Sequence, residues 1–180
     1  MTSALMIDAE TTDITANAGI LTIGVVVFDP LRVGIKEKIE LRPTMEDQTA
    51  LGRTMSEGTL TWWSKQSAEA QNEAFGDHDR LSFKETMELL HKFCWNRDGV
   101  WAHGAAFDVV LMETAWQSLG MTIPWAFHTV RDTRTLFGVT GVKLKDNGFV
   151  TSHRATDDAE RQALCVQESY RRLKAAGMPV

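Results

Sequence analysis

The chain has 180 residues, 43% of them apolar and 24% charged, with a formal net charge of −5, a balance suited to one globular domain with a substantial core. Its apolar runs, such as Val25 to Phe28, are strand-sized and exclude a membrane-spanning helix, and the acid surplus argues against a surface built only to grip phosphate. The surplus is uneven, since nine Lys or Arg face six Asp or Glu from Arg131 onward.

The start, Met1 to Asp8, carries no basic segment followed by an apolar one, so no secretory signal is read and a cytoplasmic location is expected. Ala4 to Ala9 is predicted as a strand that meets acid at Asp8. Ile20 to Phe28 is a second strand, which Asp29-Pro30 turns toward a third at Gly34 to Leu41. The alternation of Ile35, Glu37 and Ile39 with Lys36, Lys38 and Glu40 places that third strand toward a sheet edge. Together the three form an antiparallel meander. Ser67 is the predicted cap of a helix over Ala68 to Phe75, and Ser82 with Glu85 caps one carrying Phe83, Met87, Leu90 and Cys94 on one stripe.

Val100 to His103 is a short strand, followed by a helix from about Phe107 to Leu119 that Gly120 closes. Ala126 to Val130 is read as another strand and Thr133 to Phe137 as a short helix. Thr140 to Ser152, with Gly141, Gly148, Lys143 and Lys145, is expected to be a mobile loop. The last helix, about Asp157 to Ala176, aligns Ala159, Ala163, Val166, Tyr170 and Leu173 before Gly177. Cys94 and Cys165 fall among apolar helix neighbours and read as buried thiols. The pattern is a mixed α/β domain over residues 1–180 with a central sheet.

Five reactive residues stand out. Asp8 and Glu10 are two apart in a strand and so project from the same face. Adjacent carboxylates with no cation between them resist joint ionisation, and oxygen-only clusters suit hard divalent ions. Asp108 falls in the first turn of a helix after small residues, where a plainer account is an acid set against the helix dipole. On the final helix, Asp157 is turned to the surface and can pair with Arg161 at i+4, whereas Asp158 lies on the flank of the buried stripe. His153, on the preceding loop, can swing over a site, and His103 most simply fills space at a strand end.

Taken together, Met6-Ile7-Asp8-Ala9-Glu10-Thr11-Thr12, Ala102-His103-Gly104 through Phe107-Asp108, and His153-x-Ala155-x-x-Asp158-Ala159 resemble, in order, the three motifs of the DnaQ-like (DEDDh) 3′-5′ exonucleases. The segment Glu57-Gly58-Thr59-Leu60-Thr61-Trp62-Trp63 is similar to the phage and actinobacterial subgroup with a double tryptophan. One departure is Ala105-Ala106, where many relatives carry a polar residue.

The resemblance implies a ribonuclease H-like fold and two divalent cations, Mg²⁺ or Mn²⁺, about 4 Å apart. By position, Asp8 would bridge both ions, Glu10 and Asp158 would complete the first, and Asp108 would hold the second. His153 would deprotonate the attacking water. A 3′ end must also be gripped, and stacking is the common means. Thr11 and Thr12 are candidates for the terminal sugar or phosphate, Leu21 for a wedge beneath the base, and Trp63, ahead of Trp62, for the stacking ring. The expected partner is the 3′ end of single-stranded DNA or RNA, with a slight lean to DNA and RNA trimming as the alternative. A catalytically silent interaction module and a phosphodiesterase for dinucleotides or nucleotide esters are the competing classes. Relatives on this fold include dimers, which leaves a homodimer open.

Overall fold

The computed structural model describes residues 2–147 and 153–179. Strands β1 (Ala4–Thr11), β2 (Ile20–Phe28) and β3 (Ile35–Pro43) form the antiparallel meander. Three short helices follow, α1 (Met45–Ala50), α2 (Glu57–Trp63) and α3 (Ala68–Phe75). Then come β4 (Arg80–Leu81), α4 (Phe83–Cys94), β5 (Gly99–Ala102), α5 (Ala105–Ser118), β6 (Val130–Asp132), α6 (Thr133–Thr140) and α7 (Ala155–Ala175). The sheet order is β4-β3-β2-β1-β5-β6, with β5, β6 and β4 added in parallel to their neighbours.

Alternation along the strands sorts the core into two layers. Leu5 and Ile7 of β1 join Ile23, Val25, Val100 and Ala102 beneath α4 and α5. Ala4 and Met6 point the other way and join Val26, Phe28 and Trp101 beneath α6 and α7. Asp8 and Glu10 continue that second face. A third, smaller cluster of Leu21, Trp63, Ala70 and Ala74 lies under α2 and α3. Both cysteines are buried, and no described helix is long and apolar enough to cross a membrane.

The capped helices begin where expected: Ser67 Oγ accepts from the Ala70 N–H and Ser82 Oγ from the Glu85 N–H, both at 3.2 Å. Other boundaries move. β1 runs on to Thr11, because Glu10 and Thr11 still pair with β2 across a bulge. Helix α5 starts at Ala105, after Gly104 takes a left-handed turn at φ 114°. The expected strand at Ala126 to Val130 is instead a 3-10 turn, Phe127–Thr129, and pairing begins at Val130. Helix α6 reaches Thr140, and the expected loop from Thr140 contains a 3-10 turn at Leu144–Asn147, while its remainder, residues 148–152, lies outside the described residues.

Helix α7 begins two residues early because its first turn is laid directly on the sheet. Gly24 of β2 pairs with Asp8 of β1, and a Cβ built on Gly24 would lie 2.2–2.4 Å from the backbone of Ala155 and Thr156. Only a residue without a side chain permits that approach. Gly24→Ala is therefore expected to destabilise the fold by about 3 kcal/mol, through overpacking against backbone that cannot yield. Gly138→Ala, within α6 and facing open space, is expected to raise stability by up to about 1 kcal/mol through helix propensity. Urea unfolding of both variants measures the opposite signs.

Candidate active site

Three elements meet where β1 emerges from under α7. β1 supplies Asp8 and Glu10 on one face, α5 brings Asp108 in its first turn, and α7 brings Asp158 in its own. Asp108 and Asp158 are each only 6% exposed. Carboxylate oxygens of Glu10 and Asp158 and a ring nitrogen of His153 lie within 4.8 Å of one another. Acids spread over the whole length of the chain thus share one small volume with the histidine.

Their charges act on one another. Burial first, and the Asp158 charge second, push Asp8 up to about 7, against a hydrogen bond from Gln162 and the charge of Arg161. Burial, then Asp8, Asp158 and Asp108, push Glu10 up to about 9. Asp108 is raised well above the carboxylate range by burial and by Asp8, with the Ala9 N–H opposing. Asp158 is raised by burial, opposed by Arg161 and His153. A hard, oxygen-rich donor set whose members repel one another fits a divalent cation, which relieves the repulsion.

Helix α7 also holds the acids in place. Gln162 Nε2 donates to Asp8 Oδ1 at 2.7 Å, and Arg161 Nη2 to Asp158 Oδ1 at 2.5 Å. Arg161, expected to pair with Asp157, is buried and pairs with Asp158 at i+3, and Asp157 is exposed.

His153 sits at φ 51°, a left-handed conformation that a non-glycine residue adopts only when held. The next residues supply the hold. Glu40, on β3, accepts from the Thr156 hydroxyl, from Arg154 Nε at 3.0 Å and from Arg42 Nη2 at 2.9 Å. Burial works to raise the Glu40 carboxyl, but these three donors prevail and lower it to about 2. Glu73 of α3 adds a second acid, 3.3 Å from Arg154 Nε. The His153 ring meets Trp62 edge-on, with centroids 5.2 Å apart at 88°.

Beside the acids opens a cavity of about 470 Å³, whose walls include Glu10, Thr11, Ile14, Ser56, Thr59 and Trp62. The adjacent tryptophans differ in exposure, and both line the cavity. Trp63, expected to stack on a base, is 2% exposed, packs on Leu21, Ala70 and Ala74, and donates its indole N–H to Thr11 O at 2.9 Å. Trp62 is 44% exposed. Leu21, expected as a wedge, is 1% exposed beneath α2 and α3 and offers no surface.

Thr12 is likewise committed, its hydroxyl to Thr54 O at 2.9 Å and its N–H to Gly19 O. Thr11 does line the cavity, with its hydroxyl donated to Asp13 O at 2.7 Å. His103 packs on Phe137 and bonds Thr133 Oγ1 through Nδ1 at 2.8 Å.

Sequence reading missed Ile14, 82% exposed on the cavity rim, although a lone apolar residue between Asp13 and Thr15 is a visible signal. It also missed Gln162, which follows Asp158 by one helical turn, and Glu40, for which no local signal exists.

A family model described as the 3′-5′ exoribonuclease Rv2179c-like domain matches residues 3–170. No curated protein sequence matches the chain. Among solved structures, the nuclease domain of 3′hExo, a DEDDh family member bound to rAMP, superposes with TM-score 0.60 at 14% identity, covering 94% of this chain and 92% of that one. Exonuclease I of E. coli in complex with a dT13 oligonucleotide gives TM-score 0.69 at 11% identity over 98% of this chain and 43% of that one, so the present chain spans less than half of it. The 3′-exonuclease that recognises a histone mRNA stem-loop gives 0.57 at 13% identity, covering 94% and 81%. These likenesses show the shared ribonuclease H-like fold.

Raised carboxylates mean that the folded protein keeps protons which the unfolded chain, with values near 3.8 and 4.5, releases. Their stabilising contribution is fully present below about pH 4 and is lost as pH rises through about 7 and 9. In EDTA, urea unfolding is expected to show this decline, shallower in Glu10→Gln and largely removed by Mn²⁺. A stability that rose from pH 5 to 9 in EDTA would contradict the mutual repulsion.

Proposed function

The chain belongs to the Rv2179c-like 3′-5′ exoribonuclease domain family, and from that premise we propose that residues 1–180 act as one domain that removes nucleotides from the 3′ end of single-stranded RNA, using Asp8, Glu10, Asp108, Asp158 and His153. What carries the reading is the convergence of Glu10, Asp158 and His153 within 4.8 Å, beside an aromatic cavity. RNA takes precedence over DNA, reversing the lean read from sequence, because the family description names ribonuclease activity and two of the similar structures involve rAMP and an mRNA. A dT13 complex among the others keeps DNA as the second substrate.

The acids Asp8, Glu10, Asp108 and Asp158 would hold divalent cations, two Mg²⁺ or Mn²⁺ ions, which would neutralise the phosphodiester charge and make a water more acidic. The residues of the chain do the rest. His153 takes the proton of the attacking water as the water oxygen bonds to phosphorus. The bond from phosphorus to the upstream 3′ oxygen breaks, releasing a nucleoside 5′-monophosphate and a chain one nucleotide shorter. Trp62 and Ile14 flank the terminal base, Trp62 by stacking, and Thr11 borders the sugar. Trp63 and Leu21 support this wall from beneath. Gln162 and Arg161 keep Asp8 and Asp158 aimed at the cations, and Glu40 holds the backbone that carries His153.

Digestion of matched 5′-labelled RNA and DNA strands with Mg²⁺, Mn²⁺ or EDTA is the direct test. The expected result is a ladder shortening from the 3′ end, faster on RNA and absent in EDTA; endonucleolytic products, or turnover that survives EDTA, would overturn the proposal. His153→Ala is expected to keep Mn²⁺ binding while kcat falls by about 10²-fold or more. Trp62→Ala is expected to raise KM by roughly 5- to 150-fold at unchanged fold, by losing about 1–3 kcal/mol of stacking.

A further inference from the structure

On the Asp108 side of the acid cluster lies a second cavity, of about 550 Å³, whose walls include His103, Arg134, Phe137, Lys143 and Lys145. Among the described residues, every charged side chain lining it is basic, in a chain whose net charge is −5. Arg134, Lys143 and Lys145 are all exposed. The geometry joins this basic cavity to the acids. The Arg134 guanidinium lies against Gly104, where an added Cβ would sit 3.0 Å from Nη1, and its charge reaches both Asp108 and His103. Asp132 is also near, but one of its carboxylate oxygens accepts from the Ala105 N–H and the other from the N–H groups of Arg134 and Thr135. It acts as the cap of α6 rather than as a partner for the lysines.

The direction of the chain follows from the reaction. The leaving 3′ oxygen belongs to the upstream nucleotide, and the terminal base occupies the Trp62 cavity, which Asp108 does not line. The rest of the strand must therefore depart on the other side, past Asp108 and Gly104. There the next groups it meets are cations spaced along α6 and the 3-10 turn. Phosphates recur at every nucleotide whatever the base, so basic side chains grip them without reading sequence.

We propose that this cavity is a phosphodiester subsite for the penultimate and earlier nucleotides, with Arg134, Lys143 and Lys145 as its cations. The proposal rests on the exonuclease reading above. It makes turnover depend on length, because a dinucleotide contains only the phosphate that is cut and has nothing to place there.

The test compares kcat/KM on a diribonucleotide and a 5′-labelled hexaribonucleotide, in Mn²⁺, for the wild type and for Lys143→Ala/Lys145→Ala. Both lysines are exposed, so the fold is not at risk. The wild type is expected to prefer the hexanucleotide, and the double variant to lose about tenfold on it but less than twofold on the dinucleotide. The log–log salt dependence of hexanucleotide binding, followed by fluorescence anisotropy in EDTA, is expected to flatten by about 1.4, the share of two phosphate contacts to a single strand. Equal losses on both lengths, or an unchanged length preference and salt slope, would overturn the subsite. Failure of the wild type to shorten either substrate from the 3′ end would instead overturn the exonuclease reading, which keeps the two failures apart.

Discussion

Crowding of like charge governs this molecule. Four carboxylates are brought together at the junction of β1, α5 and α7, and each resists ionisation because its neighbours are acids and its surroundings are dry. Nothing in the hydrophobic core requires that arrangement. It is imposed by the close seat of α7 on Gly24, which sets Asp158 next to Asp8, and by the short span from β5 to α5, which sets Asp108 against the Ala9 backbone. Such strain between stability and site chemistry is common where function is concentrated. Here it makes cation binding and folding one linked equilibrium.

The polar framework around the acids follows from the same need. Gln162 and Arg161 lie on the flank of α7 that also carries Asp158, so one helix face presents an acid and the two groups that aim and temper the site. Glu40 performs the matching task for the loop, tying Arg154 and Thr156 to β3 and so fixing the left-handed His153 backbone. Trp62 then closes the arrangement, since its ring touches His153 and lines the apolar cavity together. The proposed base site and the proposed proton-transfer residue therefore share a wall.

How much of this could be read from residues alone depended on the range of the interaction. The meander and the helices capped by Ser67 and Ser82 were legible because their signals are local: β-branched runs, a turn at Asp29-Pro30, a hydroxyl three residues before a free N–H. Asp158 was separable from Asp157 because 100° of helical rotation distinguishes core flank from solvent. Partner choice was not, since the ion pair of Arg161 with the buried Asp158 was not read. The burial of Leu21 and Trp63 was not legible for a related reason. Period-2 and period-3.6 patterns say which residues share a face, but not which face the α2–α3 layer will cover, and that layer covers both. The Glu40 clamp joins residues more than a hundred positions apart, beyond any sequence window.

The sheet's outer rim has its own consequence. On its far side β3 is paired only at Arg42 and Pro43, by β4, among the described residues. The backbone from Ile35 to Leu41 is thus left without a strand partner there, an arrangement that invites edge-to-edge association. Lys36, Glu37 and Lys38 answer it, because a strand docking alongside would have to strip water from three consecutive ionised groups. That guards the rim against fibrillar growth, and it directs self-association, where it occurs, toward some other surface of the molecule.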